Sequence, residues 1–165
     1  LSAMEHLIAE LHFLTSLDLP DFALHPEPVD IAALLQEYMV TQQADAKWGD
    51  RVLVMETSEA GELIWTLDAL RMVRVLDNLF ANALRFTQPG DTIALGWRRG
   101  ANSRQEELEI TVRDTGKGIH EDMMEEILER TKTLYKARTT GQDDSRGLGL
   151  SIVGGIVEKH GGRVW

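Results

Sequence analysis

Three of the chain's four prolines fall within twelve residues, "LPDFALHPEPVD" (19–30), and no other feature restricts the fold as strongly. Pro20, Pro26 and Pro28 lack an N–H to donate and bias the residue before each of them away from the helical region, so no helix can run through this stretch. Upstream, "LSAMEHLIAELHFLTSLD" places Met4, Leu7, Ile8, Leu11 and Leu14 at helical spacing, one apolar stripe that wants a partner. The chain therefore reads as a helix over 1–19, an extended linker over 20–29 and a main domain over 30–165.

Within that domain Asp30 can cap an amphipathic helix from about Ile31 to Lys47, and "RVLVMET" and "ELIWTLD" look like two strands of a hairpin. A helix containing "LDNLFANALRFT" (76–87) follows, then the strands "DTIALGWRR" and "ELEITVRD". Gly-rich "DTGKGI", a helix from about Glu121 to Arg130, a polar stretch to Arg146 and a last helix "GLGLSIVGGIVEKH" complete the order. This order predicts an α/β fold: a two-layer α/β sandwich with a mixed sheet and helices on one face, preceded by one amphipathic helix.

Composition narrows the function. With 43% hydrophobic and 27% charged residues the 165-residue chain is globular, and its net charge of −10 disfavours binding to nucleic acid or to an anionic membrane. Any anionic ligand must be handled locally. There is no cysteine, which removes disulfides and thiolate metal sites. No apolar run approaches the roughly 20 residues that span a bilayer. A membrane anchor, if the parent has one, lies outside this sequence.

Stepping by three or four along the 76–87 helix and the turn before it gives Arg71, Arg74, Asn78, Asn82 and Arg85, a polar stripe opposite Met72, Leu76, Leu79, Phe80 and Ala83. For the arginines alone a solvated surface stripe is the simpler reading. Asparagine is a mediocre helix former, so two at one spacing call for a chemical reason. A carboxamide oxygen can ligate Mg²⁺, a hard cation that takes its other ligands from water and phosphate. Arg85 would then meet phosphate oxygens.

Two glycine-bearing stretches accompany the stripe. In "RDTGKGI", Asp114 ends a strand, and Gly116 and Gly118 permit close approach or left-handed backbone; alone this is a tight turn. In "SRGLGLSIV", Gly147 and Gly149 open a helix whose free N–H groups favour an anion, although alone this is plain helix entry. Neither is a P-loop or a dinucleotide-binding turn.

Taken in order, N-x-x-x-N-A, D-x-G-x-G-I and G-L-G-L resemble the ATP-binding catalytic domain of sensor histidine kinases, within the GHKL superfamily. "LDNLFANALRFT" is similar to that family's N box, "DTGKGI" to its first glycine box and "RGLGLSIV" to its second. Upstream, "MEHLIAELHFLTSLD" followed by "PEPVDIAALLQEY" resembles the end of the second dimerisation helix and the linker into the catalytic domain. The resemblance implies the cofactors ATP and Mg²⁺. It makes Asn82 the Mg²⁺ ligand with Asn78 assisting, Arg85 a phosphate contact, Phe86 an aromatic neighbour of adenine and Asp114 the acceptor for the adenine amino group. Gly116, Gly118 and Ile119 would pass beside the base, and Arg146, Gly147, Leu148 and Gly149 would lie against the triphosphate. The superfamily's ATP hydrolases carry a glutamate where this chain has Asn78, so ATP held for transfer to a protein is implied. Asp77 is one residue out of the stripe and is not expected to act as a base.

The segment from Arg130 to Arg146 would be the ATP lid. It is locally basic and departs from the family: the phenylalanines of the usual F box are absent, "LYK" replaces them with Lys136 at the phosphate-contacting position, and Ser145 stands where a glycine is usual. A phosphoacceptor motif resembling H-E-L-R-T-P is missing. His6 and His12 read as helix-surface residues, and His25, His120 and His160 as structural. The sequence is thus expected to be a fragment without its acceptor histidine, and without a terminal hairpin. The implied partners are the parent's own dimerisation and phosphoacceptor domain, a response regulator and a second copy in a homodimeric parent, the chain itself being a cytoplasmic domain. Two alternatives are a degenerate nucleotide-binding regulatory module, favoured by the lid departures, and an anti-sigma-type GHKL serine kinase, disfavoured by the dimerisation-helix remnant.

Overall fold

The computed structural model describes residues 3–57, 61–102, 105–121, 123–127, 129 and 148–165. Helix α1 spans Ala3–Leu17, and strand β1, Glu27–Asp30, follows the prolines. Asp30 then caps helix α2 (Ile31–Gln43), its carboxylate accepting the Ala33 N–H at 3.3 Å. The helix stops four residues earlier than its pattern predicts, because Asp45 accepts the Lys47 N–H at 2.9 Å and starts a separate 3₁₀ turn, Ala46–Trp48. Strands β2 (Val52–Met55) and β3 (Ile64–Leu67), helix α3 (Ala69–Phe86), strands β4 (Thr92–Asn102) and β5 (Gln105–Asp114), and helix α4 (Leu148–Lys159) complete the order. Residues 121, 123–127 and 129 are helical, and the remainder of the helix expected up to Arg130 lies outside the described residues.

The principal sheet has the order β2-β4-β5 and is mixed, as its alternation with helices implies. β2 runs parallel to β4, from Val52↔Thr92 to Met55↔Leu95, and β4 runs antiparallel to β5, from Ile93↔Asp114 to Asn102↔Gln105. The expected hairpin of "RVLVMET" with "ELIWTLD" does not form. β3 pairs instead with β1, antiparallel from Glu27↔Leu67 to Asp30↔Ile64, in a separate two-stranded sheet. Period-2 patterns identify strands but not their partners. The expected linker also contributes structure: Pro28 stands opposite Thr66 in a strand with one neighbour, the edge position where a missing N–H costs no ladder bond.

The chain divides into two compact units. One draws on Leu1–His25, Leu70–Leu79 and Ile119–Trp165, the other on Pro26–Ala69 and Phe80–Gly118. In the second unit Phe80 is fully buried, with Tyr38 of α2 at 5.1 Å and Trp48 at 5.7 Å, both edge-on. Leu35, Met39, Ile93 and Leu95 are buried with them, and the Gln43 amide donates to the Leu53 carbonyl at 3.0 Å, tying α2 to β2. In the first unit α1 packs on α4, and Leu17, Leu76, Ile152, Val153 and Ile156 are buried. Of the α1 stripe, Met4, Ile8 and Leu11 remain exposed. No helix among the described residues is long and apolar enough to cross a membrane.

Candidate functional site

The polar stripe of α3 divides by chemistry. In the first unit, the Arg74 guanidinium lies 3.8 Å from the Phe13 ring centroid, and that of Arg71 lies 4.9 Å from Phe13 and 5.4 Å from Phe22. Both arginines are half-buried, so the solvated stripe expected of them is not what forms; aromatic rings of α1 and the following turn cover them. Burial lowers the pKa of Arg74 from its ordinary value, opposed by the charge of Glu10, and the guanidinium keeps its proton. The sequence signal for this packing was Phe13 before the proline stretch and Phe22 within it, two aromatics with no assigned role.

Asn78 is half-buried one turn further on. Its amide nitrogen donates to the Arg74 carbonyl at 2.8 Å, which fixes which way the carboxamide points. Its oxygen then lies against Gly149 near the start of α4: a β-carbon there would stand 3.0 Å from it. The structure thus brings together Asn78 and Gly149. Leu148 is buried at the first position of α4 and Ser151, one turn on, has no exposed surface. Ile119 is exposed. Lys136, Arg146 and Gly147, together with the lid expected over Arg130 to Arg146, lie outside the described residues.

The second unit holds the other cluster. Asn82 is half-buried, and the exposed Arg85 guanidinium lies 4.8 Å from the Phe86 ring centroid. Phe86 is part-exposed, and the Lys117 ammonium lies 5.9 Å from the same ring. Asp114 ends β5, and its Oδ1 accepts the Gly116 N–H at 2.8 Å, closing a turn that holds the carboxylate. A carboxylate has further acceptor capacity on its second oxygen. Gly116 is required because a β-carbon would fall 2.4 Å from the Phe86 carbonyl oxygen; Gly118 is required because its φ is +71°. Phe86, Asp114 and Gly116 are therefore assembled as one cluster.

Two residues that sequence reasoning passed over pin this cluster. The Thr115 N–H donates to the Thr92 carbonyl at 3.0 Å and its hydroxyl accepts the Thr92 N–H at 2.9 Å. The same hydroxyl donates to Asp91 Oδ1 at 3.2 Å, while Asp91 Oδ2 accepts the Gln88 N–H at 2.7 Å. Thr115 occupies the variable position of D-x-G, which carries no signal by type.

Among the described residues no group of three or more His, Asp or Glu could hold a metal ion. Any Mg²⁺ here would have carboxamide oxygen from the protein and would need phosphate and water for the rest, which the donor chemistry of α3 fits.

Residues 67–165 match the model of the histidine kinase-, DNA gyrase B- and HSP90-like ATPases. The chain belongs to this ATPase family. It is 34% identical to the sensor protein SrrB of Staphylococcus aureus strain MRSA252, over 98% of this chain and 26% of that protein, so it spans about a quarter of the curated relatives it matches. The ATPase fold is shared with the catalytic domain of histidine kinase ThkA, with a TM-score of 0.66, 23% identity and 86% of each chain covered. It is shared also with full-length ShkA in complex with AMPPNP, with a TM-score of 0.71, 24% identity, and 94% of this chain and 31% of that one covered. The resemblance to a sensor histidine kinase ATP-binding domain of the GHKL superfamily is borne out, as is the α/β fold with its mixed sheet and preceding helix. Use of ATP, implied by the resemblance, agrees with the family.

Proposed function

We propose that this chain is the ATP-binding catalytic domain of a sensor histidine kinase, which transfers the γ-phosphoryl group of ATP to a histidine outside this sequence and thence to a response-regulator aspartate. In the transfer the bond from the γ-phosphorus to its bridging oxygen breaks and ADP leaves with the electron pair. A P–N bond forms to an imidazole nitrogen, which gives up its proton.

The reading rests on Asn78. The ATP hydrolases of the superfamily use a glutamate at that position to activate water, and an amide cannot act as a general base at neutral pH. Asn78 is moreover locked by its bond to the Arg74 carbonyl and by Gly149, as a group that positions rather than reacts. Asp77, the nearest carboxylate on α3, is exposed and one position off the stripe.

Asn82, assisted by Asn78, would hold Mg²⁺. Bound there, Mg²⁺ would neutralise charge on the phosphate oxygens. Arg85, Lys136, Arg146 and the helix start at Gly147, Leu148 and Gly149 would contact phosphate. At the other end Asp114 would accept the adenine amino group, Phe86 would lie beside the ring, and Gly116, Gly118 and Ile119 would let the main chain approach it.

The domain division proposed with this is 1–19 as the end of a second dimerisation helix, 20–29 as linker and 30–165 as catalytic domain. The exposed Met4, Ile8 and Leu11 of α1 support a helix that pairs with another in a homodimeric parent. The domain is cytoplasmic in this reading, and any anchor of the parent lies in other segments. The test is to supply the histidine-bearing helices of the parent with γ-labelled ATP. Acid-labile, base-stable phosphate on those helices is expected; ATP hydrolysis without transfer would contradict it.

A further inference from the structure

Arg51 carries no role in the motifs, yet its guanidinium donates to four acceptors. Its Nε donates to the Thr87 hydroxyl at 2.8 Å and its Nη2 to the Thr87 carbonyl at 2.7 Å, with longer contacts to the Leu84 carbonyl at 3.5 Å and the Trp48 carbonyl at 3.4 Å. Thr87 is buried, and its hydroxyl passes a hydrogen bond back to the Ala83 carbonyl at 2.6 Å. The last carbonyls of a helix have no partner within it, and a cation there also complements the helix dipole. Arg51 and Thr87 together thus satisfy Ala83, Leu84 and the first carbonyl beyond α3.

Phe86 lies in the chain between the anchored carbonyls of Leu84 and Thr87. Its own carbonyl faces Gly116, too close for any β-carbon on that residue, and Gly116 in turn donates to Asp114. The main chain around Arg51 is fastened to the turn that follows α3: the Val52 N–H donates to the Asp91 carbonyl at 2.9 Å and the Gly90 N–H to the Asp50 carbonyl at 3.1 Å. One guanidinium therefore ties the start of β2 to the helix end that bears Phe86.

We propose that Arg51 is a positioning residue for the nucleotide base: by clamping the C-terminus of α3 through Leu84 and Thr87, it holds the Phe86 main chain against Gly116 and keeps Phe86 and Asp114 in register for adenine. This rests on the reading of Asp114 as the acceptor for the adenine amino group. A planar guanidinium with several donors in a fixed fork suits these four acceptors at once, and lysine offers a single ammonium point.

The test compares the binding of a non-hydrolysable ATP analogue and the matching GTP analogue by calorimetry, for the chain and for Arg51→Met, Arg51→Lys and Thr87→Val. Guanine carries an oxo group where adenine has its amino group, so a well-placed carboxylate acceptor favours the ATP analogue and disfavours the other. Arg51→Met should weaken the ATP analogue by about tenfold and shrink its preference over the GTP analogue, and Thr87→Val should do the same to a smaller extent. Arg51→Lys should fall between. A general loss of folded protein would lower both affinities alike and leave the preference unchanged. An unchanged preference in folded Arg51→Met, or in Thr87→Val and Arg51→Lys where Arg51→Met does not fold, overturns the proposal. If the unaltered chain binds both analogues equally, it is the role of Asp114 that fails, and the proposal with it.

Discussion

The carboxamide oxygen of Asn78 on α3 and the α-carbon of Gly149 on α4 are packed so closely that a β-carbon on the glycine would stand 3.0 Å from that oxygen. Gly149→Ala should push the carboxamide off its bond to the Arg74 carbonyl and weaken ATP-analogue binding by about tenfold, roughly 1.4 kcal/mol. Thermal unfolding of Gly149→Ala with and without Asn78→Ala checks the cause. The destabilisation by the added methyl should largely vanish in the Asn78→Ala background; if it persists unchanged, the contact is not its reason.

Gly116 presents a harder limit, because its neighbour is main chain. A β-carbon would lie 2.4 Å from the Phe86 carbonyl oxygen and 2.8 Å from Asp114 Oδ1. Gly116→Ala should cost about 1–3 kcal/mol of stability, in the range of overpacked sites. Denaturant unfolding measures it. A shift smaller than that of an alanine at exposed Glu106 would contradict the packing.

Phe13 and Arg74 should be energetically coupled. A double-mutant cycle of Phe13→Leu and Arg74→Met in denaturant unfolding should return about 0.5–2 kcal/mol of coupling, the range for a partly desolvated cation on an aromatic face. Strictly additive effects would show that the stacking contributes nothing.

Asp77 should be dispensable for any slow ATP hydrolysis. Asp77→Asn should leave steady-state ATP turnover within about twofold of the parent chain, as for a surface substitution away from the chemistry. Rapid turnover abolished by this substitution would make Asp77 a general base and remove the distinction drawn from Asn78.

The helical elements around the site were legible because their signals are local. The period of α3 gives its stripe, and Asp30 gives the start of α2 by type and position. The glycines were legible too, though for a partly different reason: at Gly116 the partner is the Phe86 carbonyl, which only the fold supplies. Strand pairing was not legible. "RVLVMET" and "ELIWTLD" are adjacent in sequence, but β2 finds its partner in β4 and β3 in β1, a strand hidden by Pro26 and Pro28. The arginines of the stripe were misread because a charged residue's cover comes from elsewhere in the chain, in this case Phe13 and Phe22. Arg51 was invisible for the same reason, since helix-end carbonyls are satisfied by whichever donor the fold delivers.

In the proposed function Asn82 serves the metal and phosphate end of an ATP site and Asp114 its base end. Calorimetry of a non-hydrolysable ATP analogue, with and without Mg²⁺, on the chain, Asn82→Ala and Asp114→Asn separates the two ends. Mg²⁺-dependent binding is expected, with Asn82→Ala losing most of the Mg²⁺ enhancement and Asp114→Asn losing affinity to the same extent whether or not Mg²⁺ is present. Binding that neither substitution alters, or no binding by the unaltered chain, would contradict it.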